Sequence, residues 1–157
     1  MTQALLGNIV LALVWAAITG FSLASLFWGF LLGYAVLWMS PMVSQHSRYF
    51  LKVGQLAGFL AYFSKELAIA TLRISYDVLT PQHHMRPAVI ALPLDARTPV
   101  EISFLSVVVS LTPGTLVLDV SCDRRTLYIH AMYAANPDEV KHAIKQGFER
   151  RILELLR

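Results

Sequence analysis

Hydrophobic side chains run almost unbroken from residue 5 to residue 39, and no Asp, Glu, Lys or Arg occurs among the first 47 residues. A soluble domain presents charge on most of its surface elements, whereas a charge at a bilayer centre costs at least about 2.5 to 3.5 kcal/mol. The opening pattern therefore predicts helices that meet lipid. As helices, the runs 5–19 and 23–39 reach roughly 22 and 25 Å, short of a hydrocarbon core of about 30 Å. A single helix over 5–39 would reach roughly 52 Å, so Gly20-Phe21-Ser22 is taken as a break. Two short spans or a re-entrant hairpin both satisfy these lengths. Ser40-Pro41 stops the second helix, because the residue before a proline avoids helical geometry, and Gln45-His46-Ser47-Arg48 makes a polar connection.

A third helix is expected at about 50–76. It is apolar but carries Lys52, Lys65, Glu66 and Arg73, with Asp77 just beyond. If 53–72 crosses the bilayer, Glu66 lies about 5 Å from the midpoint, where an ionisable group must face protein, water or a partner charge. If the span stops near Ser64, Lys65 and Glu66 fall in the head-group zone, where long side chains snorkel. Lys65 is not expected to pair with Glu66, because neighbouring helical positions point about 100° apart. Gly54 and Gly58 form a G-x-x-x-G pair with Ala57 and Ala61 nearby, which is either a face for close helix packing or ordinary glycine usage in a membrane helix.

From residue 80 the hydrophobic runs shorten and alternate with charge. Pro81-Gln82-His83-His84 is a turn-prone opening, and 88–92, between Pro87 and Pro93, is a strand. Thr98-Pro99-Val100-Glu101 is a capping box with proline at the first helical position; the helix it starts turns Ile102, Leu105, Val108 and Val109 to one side and stops before Pro113. Pro113-Gly114 supplies the two backbone angles of a type II turn. Strands follow at 115–120, with Leu116, Leu118 and Val120 expected on one side, and at 126–132; the two make a hairpin. Asn136-Pro137-Asp138-Glu139 starts a last helix with Val140, Ile144, Phe148 and Ile152 in a stripe. The expected fold is thus a membrane α-helical part, residues 1–79, of three short helices, followed by a small α+β domain, residues 80–157, of order β-α-β-β-α with a three-stranded sheet. Such a domain is marginally able to bury its own core and is expected to lean on the membrane, a neighbouring subunit or a second copy.

Composition narrows the chemistry. Hydrophobic residues make up 56% and charged residues 15% of the chain, against roughly 25% charged in ordinary globular domains. The net charge of +3 is modest and its Lys and Arg are scattered, so nucleic acid is not an expected partner. The first residues lack the basic region of a secretory signal, so the N-terminus is expected to persist in the mature chain. The single cysteine, Cys122, allows no internal disulfide and suits a reducing compartment. His83 and His84 could ligate a metal only with help from elsewhere, so neither a metal nor a cofactor is expected. Asp119, Asp123 and His130 could gather near the hairpin, but strand alternation accounts for them and no nucleophile other than Cys122 adjoins them, so enzymatic activity is not expected. Pro113-Gly114 lacks the remaining glycines and the lysine of a phosphate loop.

Asn8 with Val14-Trp15, Lys65-Glu66-Leu67, the run Ser110-Leu111-Thr112-Pro113-Gly114-Thr115-Leu116, and Tyr128-Ile129-His130 resemble, in order and over the whole chain, the E subunit of the multisubunit Mrp-type cation/proton antiporters. The resemblance implies an accessory subunit of a bacterial plasma-membrane complex that exchanges sodium or another monovalent cation for protons. It implies other antiporter subunits and the lipid bilayer as partners, and a cytoplasmic C-terminal domain. The family's transport path lies in its large subunits, so no ion-binding residue is carried over. From the residues themselves, Gly54, Gly58, Lys65 and Glu66 are the candidates for a partner interface or an ion path. The alternative is a stand-alone membrane-anchored sensor or binding module whose α+β domain recognises a cytosolic ligand.

Overall fold

Gly20 takes a positive φ of 96°, a backbone region that side chains disfavour, and there the opening apolar run breaks into two helices. The computed structural model describes residues 2–40, 48–81 and 84–157. Helix α1 covers Thr2–Thr19 and α2 covers Leu23–Met39. Ser22 caps α2 by accepting from the Ser25 N–H, while Ser25 Oγ accepts from the Ser22 N–H and donates to the Gly20 carbonyl at 2.6 Å. The break is therefore a built turn. Ser40 ends α2 in extended geometry. Pro41 and the connection at 45–47 lie outside the described residues.

Small residues make the α1–α2 contact. Ala4, Asn8, Ala12 and Ala16 on α1 and Ser25, Gly29 and Gly33 on α2 are all buried, each set repeating every fourth position. A methyl group added at Gly29 would come within 2.9 Å of Trp15 Cβ and 3.0 Å of the Ala12 backbone, so the helices meet nearly backbone to backbone. Large apolar side chains point the other way: Leu6, Val10, Ile18, Phe27, Trp28 and Trp38 are exposed. Asn8, fully buried, donates from Nδ2 to the Tyr49 hydroxyl at 2.7 Å, tying α1 to the start of α3 (Arg48–Leu79). Among the described residues no helix is both long and apolar enough to cross a membrane.

Two compact units, Met1–Gly54 and Gln55–Arg157, divide the chain. In the second, β1 (Ala88–Pro93), β2 (Thr115–Val120) and β3 (Thr126–Ala131) form an antiparallel sheet of order β1-β3-β2. Helix α4 (Pro99–Leu111) begins with the expected capping box, Thr98 and Glu101 exchanging hydrogen bonds. Helix α5 (Pro137–Ile144), a π-helical turn (Lys145–Glu149) and α6 (Arg150–Leu156) follow one another without leaving right-handed helical geometry. An apolar stripe at every fourth residue drifts about 40° per step on an α-helix. The wider π turn takes out that drift, so Ile144, Phe148 and Ile152 all stay buried.

Three expectations are corrected. The third helix is not short: it continues through Leu79. The α+β core is not closed by residues 80–157 alone, because part of α3 joins it. Phe59 is buried in the same cluster as Leu92, Leu105, Leu127 and Phe148, with Tyr62 and Phe63 packed against it. Leu116, Leu118 and Val120 do not share a side, because the register shifts between Val117 and Asp119. That bulge at Leu118 leaves Leu116 and Leu118 exposed while Val117 and Val120 face the core.

Candidate functional site

The Thr112–Thr115 turn is built by hydroxyls and one glycine. The Thr115 N–H donates to the Thr112 carbonyl at 3.2 Å, Pro113 holds the first central position, and Gly114 supplies φ +89° at the second. Thr112 Oγ1 donates to the Val108 carbonyl and Thr115 Oγ1 to the Val109 carbonyl, closing the C-terminal end of α4. Gly114 lies against the Tyr133 ring and Ile74, and its carbonyl accepts from the Met132 N–H. The run 110–116, one of the segments that carry the resemblance, is thus a hydrogen-bonded corner joining α4, β2 and β3 to α3.

Beside this corner lies a cavity of about 200 Å³, walled mainly by apolar side chains such as Ile69, Val140 and Phe148, with Glu66, Arg73 and Tyr133 among its polar lining. Glu66 and Arg73 come from the side of α3 that carries Phe59, Tyr62 and Phe63 into the core. Glu66 is therefore turned toward the domain, with 29% of its side chain exposed. Lys65 Nζ stands 3.6 Å from Glu66 Oε1, contrary to the expectation that the two cannot pair. Its long stem lets the ammonium swing back over the adjacent position although the Cα–Cβ bonds diverge. Among the described residues Gly54 and Gly58 have open space beside them: a methyl group added at either would meet no atom within 4 Å outside its own stretch of helix. The close-packed G-x-x-x-G pair of this chain is Gly29 and Gly33, which the sequence reading missed, although Ala4, Asn8, Ala12 and Ala16 offer the matching spacing.

Asp77 was also missed as a site residue. It is buried, accepts from the Tyr133 hydroxyl at 2.9 Å and lies 3.2 Å from His84 Nδ1. Burial, and then the bond to Asp77, push the Tyr133 phenol above its usual range. Arg73 stands over the Tyr133 ring at 5.2 Å. The signal was the recurrence of 59, 63, 66, 70, 73 and 77 along one helix face. Across the domain, Arg157 donates to Glu101 at 3.0 Å, and that bond, with the Arg97 and Thr98 N–H groups, holds the Glu101 carboxyl down at about 2.

The remaining candidates stay apart. Asp123 closes the β2–β3 turn by accepting from the Ser121 hydroxyl and the Arg125 N–H, Asp119 accepts from the Val120 N–H, and His130 pairs in register with Val89 and Leu116. His83 lies outside the described residues. Among the described residues no three His, Cys, Asp or Glu side chains gather as metal ligands would. What the cavity's polar lining can do is pair a carboxylate with a cation, or pass a proton to and from it.

A family model described as Na+/H+ ion antiporter subunit matches residues 8–155. The chain is 33% identical over its full length, and over all of the relative, to the Na(+)/H(+) antiporter E subunit of Bacillus subtilis. It is 30% identical to the Na(+)/H(+) antiporter E subunit of Alkalihalophilus pseudofirmus, across 99% of both chains. Among solved structures, a chain of the Mrp complex from Dietzia sp. aligns with 65% of this chain and 96% of its own, at 25% identity and a TM-score of 0.50. A chain of an archaeal membrane-bound sulfane sulfur reductase shares the fold over 97% of this chain and 98% of its own, at 21% identity and a TM-score of 0.54.

Proposed function

This chain belongs to the family of Na+/H+ antiporter E subunits, and from that premise we propose that it acts as an accessory, assembly-supporting subunit of a multisubunit membrane antiporter that exchanges sodium or another monovalent cation for protons. The observation that carries the reading is the family match over nearly the whole chain. The fold agrees with it. A charge-free helix pair with large apolar side chains on its outer sides is poorly suited to water, and in this reading it lies in the membrane of the antiporter complex. As a transporter component it needs no catalytic constellation of its own.

The finer topology belongs to the same proposal. Residues 1–79 form the membrane-embedded part, crossing more than once, and residues 80–157 a cytoplasmic domain. The domain covers one side of α3 from Phe59 to Asp77, so only the other side, with Leu60, Leu72, Tyr76 and Leu79 exposed, is left for lipid, which suits a helix lying at the membrane interface. Glu66, beside Lys65, is the residue proposed to pair with a neighbouring subunit's cation or to touch a proton path. Gly54 and Gly58, open on α3, are proposed as a packing face for that neighbour.

Affinity purification of the tagged full chain from membranes tests the assembly role. Recovery of several larger subunits together with the chain is expected; a chain recovered alone as a stable monomer contradicts it. Labelling the exposed, free Cys122 with a membrane-impermeant maleimide tests orientation. Protection in intact cells and reaction after permeabilisation are expected, and labelling of intact cells would place the domain outside.

A further inference from the structure

Helix α4 carries two apolar stripes: one is buried in the core, and of the other only Phe104 is partly buried among the described residues. Ile102, Leu105, Val108 and Val109 are buried against the sheet and the other helices. Val100, Phe104, Val107 and Leu111 recur on the opposite side at i, i+4, i+7 and i+11, with Val100, Val107 and Leu111 exposed by 66%, 55% and 58%. Ser103 and Ser110 flank them. The one charged residue of the helix, Glu101, is buried and taken up by Arg157. A surface helix ordinarily turns charge outward, and a helix apolar all round is covered on every side.

We propose that this second stripe seats a helix of another subunit of the antiporter complex. The inference rests on membership of that complex and adds a location to it. The spacing of the stripe is that of a helix–helix seam, and a shallow groove runs along Pro99, Val100, Ser103, Phe104 and Val107. Phe104 bounds it on one side by packing on Phe59 of α3, ring centres 5.6 Å apart. A helix resting on lipid head groups carries Lys, Arg or Trp along its flanks, and α4 has none of these. Four side chains supply roughly half of the ~800 Å² per partner that a free-standing dimer needs, so a second copy would not be held by them. A helix brought close by other contacts of the same assembly would be.

Photo-crosslinking in the assembled complex tests this. Benzoylphenylalanine is placed at Val107 of the full chain, with a comparison position at Asp138, whose side chain is 87% exposed. Irradiation should give an adduct from position 107, at least ten-fold above that from 138, mapping to a helical segment of another subunit of the complex. Val107→Asp should lower recovery of the other subunits at least five-fold at an unchanged membrane level of the chain, while Val107→Ala, which keeps the position apolar, should retain most of it. An adduct to lipid or to a second copy overturns the proposal. So does a position 107 that yields no adduct while the subunits still co-purify. Failure of the unmodified chain to bring down any other subunit would instead overturn the membership reading beneath it.

Discussion

Glu66 shows how far one side chain can be understood from its neighbours. Its place near the middle of an apolar helix was legible in the sequence, but its partner was not. Pairing with Lys65 depends on the reach of a flexible stem, which helical angles alone do not describe. If the carboxylate meets a cation of a neighbouring subunit or a proton path, Glu66→Gln should lower cation/proton exchange several-fold or weaken co-purification. Normal values of both would leave it as a head-group residue. Glu101 makes a separate prediction. A carboxyl held at about 2 by Arg157 contributes stability that is complete above the usual carboxylate range and is lost as pH falls toward 2. Glu101→Gln should therefore cost on the order of 2 kcal/mol at neutral pH, and the gap to the unsubstituted protein should close between about pH 5 and pH 2 in thermal unfolding of the purified chain. A gap that widened with acid would contradict the ion pair.

Helices and strands divide by what sets them. Starts and stops follow local chemistry, so the Thr98–Glu101 capping box, the Pro113-Gly114 turn and the break at Gly20 were all legible. The bulge at Leu118 and the π turn at Lys145–Glu149 were not, because each is fixed by packing between elements. The bulge lets Val117 and Val120 both reach the core, and the π turn keeps a four-residue stripe on one side. The α1–α2 pair depends on Gly33, where any side chain would run into Asn8. Gly33→Leu should thus separate the helices, costing roughly 1 to 3 kcal/mol as overpacking, and should show as loss of the chain from purified complexes. The contact of α3 with the last helix is as specific. Phe148, with the Tyr62 ring 5.3 Å away and the Phe63 ring 6.5 Å away, should cost about 3 to 5 kcal/mol when changed to alanine, read as a lowered melting temperature of the full chain in detergent. A melting temperature unchanged within a degree would mean that α3 does not pack there.

For the molecule as a whole, composition separated an apolar beginning from a charged end, and that division survives in the charge-free hairpin. It could not show that α3 serves both parts. Phe59, Tyr62 and Phe63 read simply as apolar residues in an apolar helix, yet they complete the core of the domain that follows. The domain's core thus takes in part of α3, and among the described residues a charge-free side of α4 is left largely exposed. Both features belong to a chain made to be held in an assembly. The most direct test is sodium-dependent proton exchange in everted membrane vesicles from cells lacking this chain. Exchange should fall to background and return when the full chain is supplied; exchange that persists at its normal rate without the chain would contradict the account.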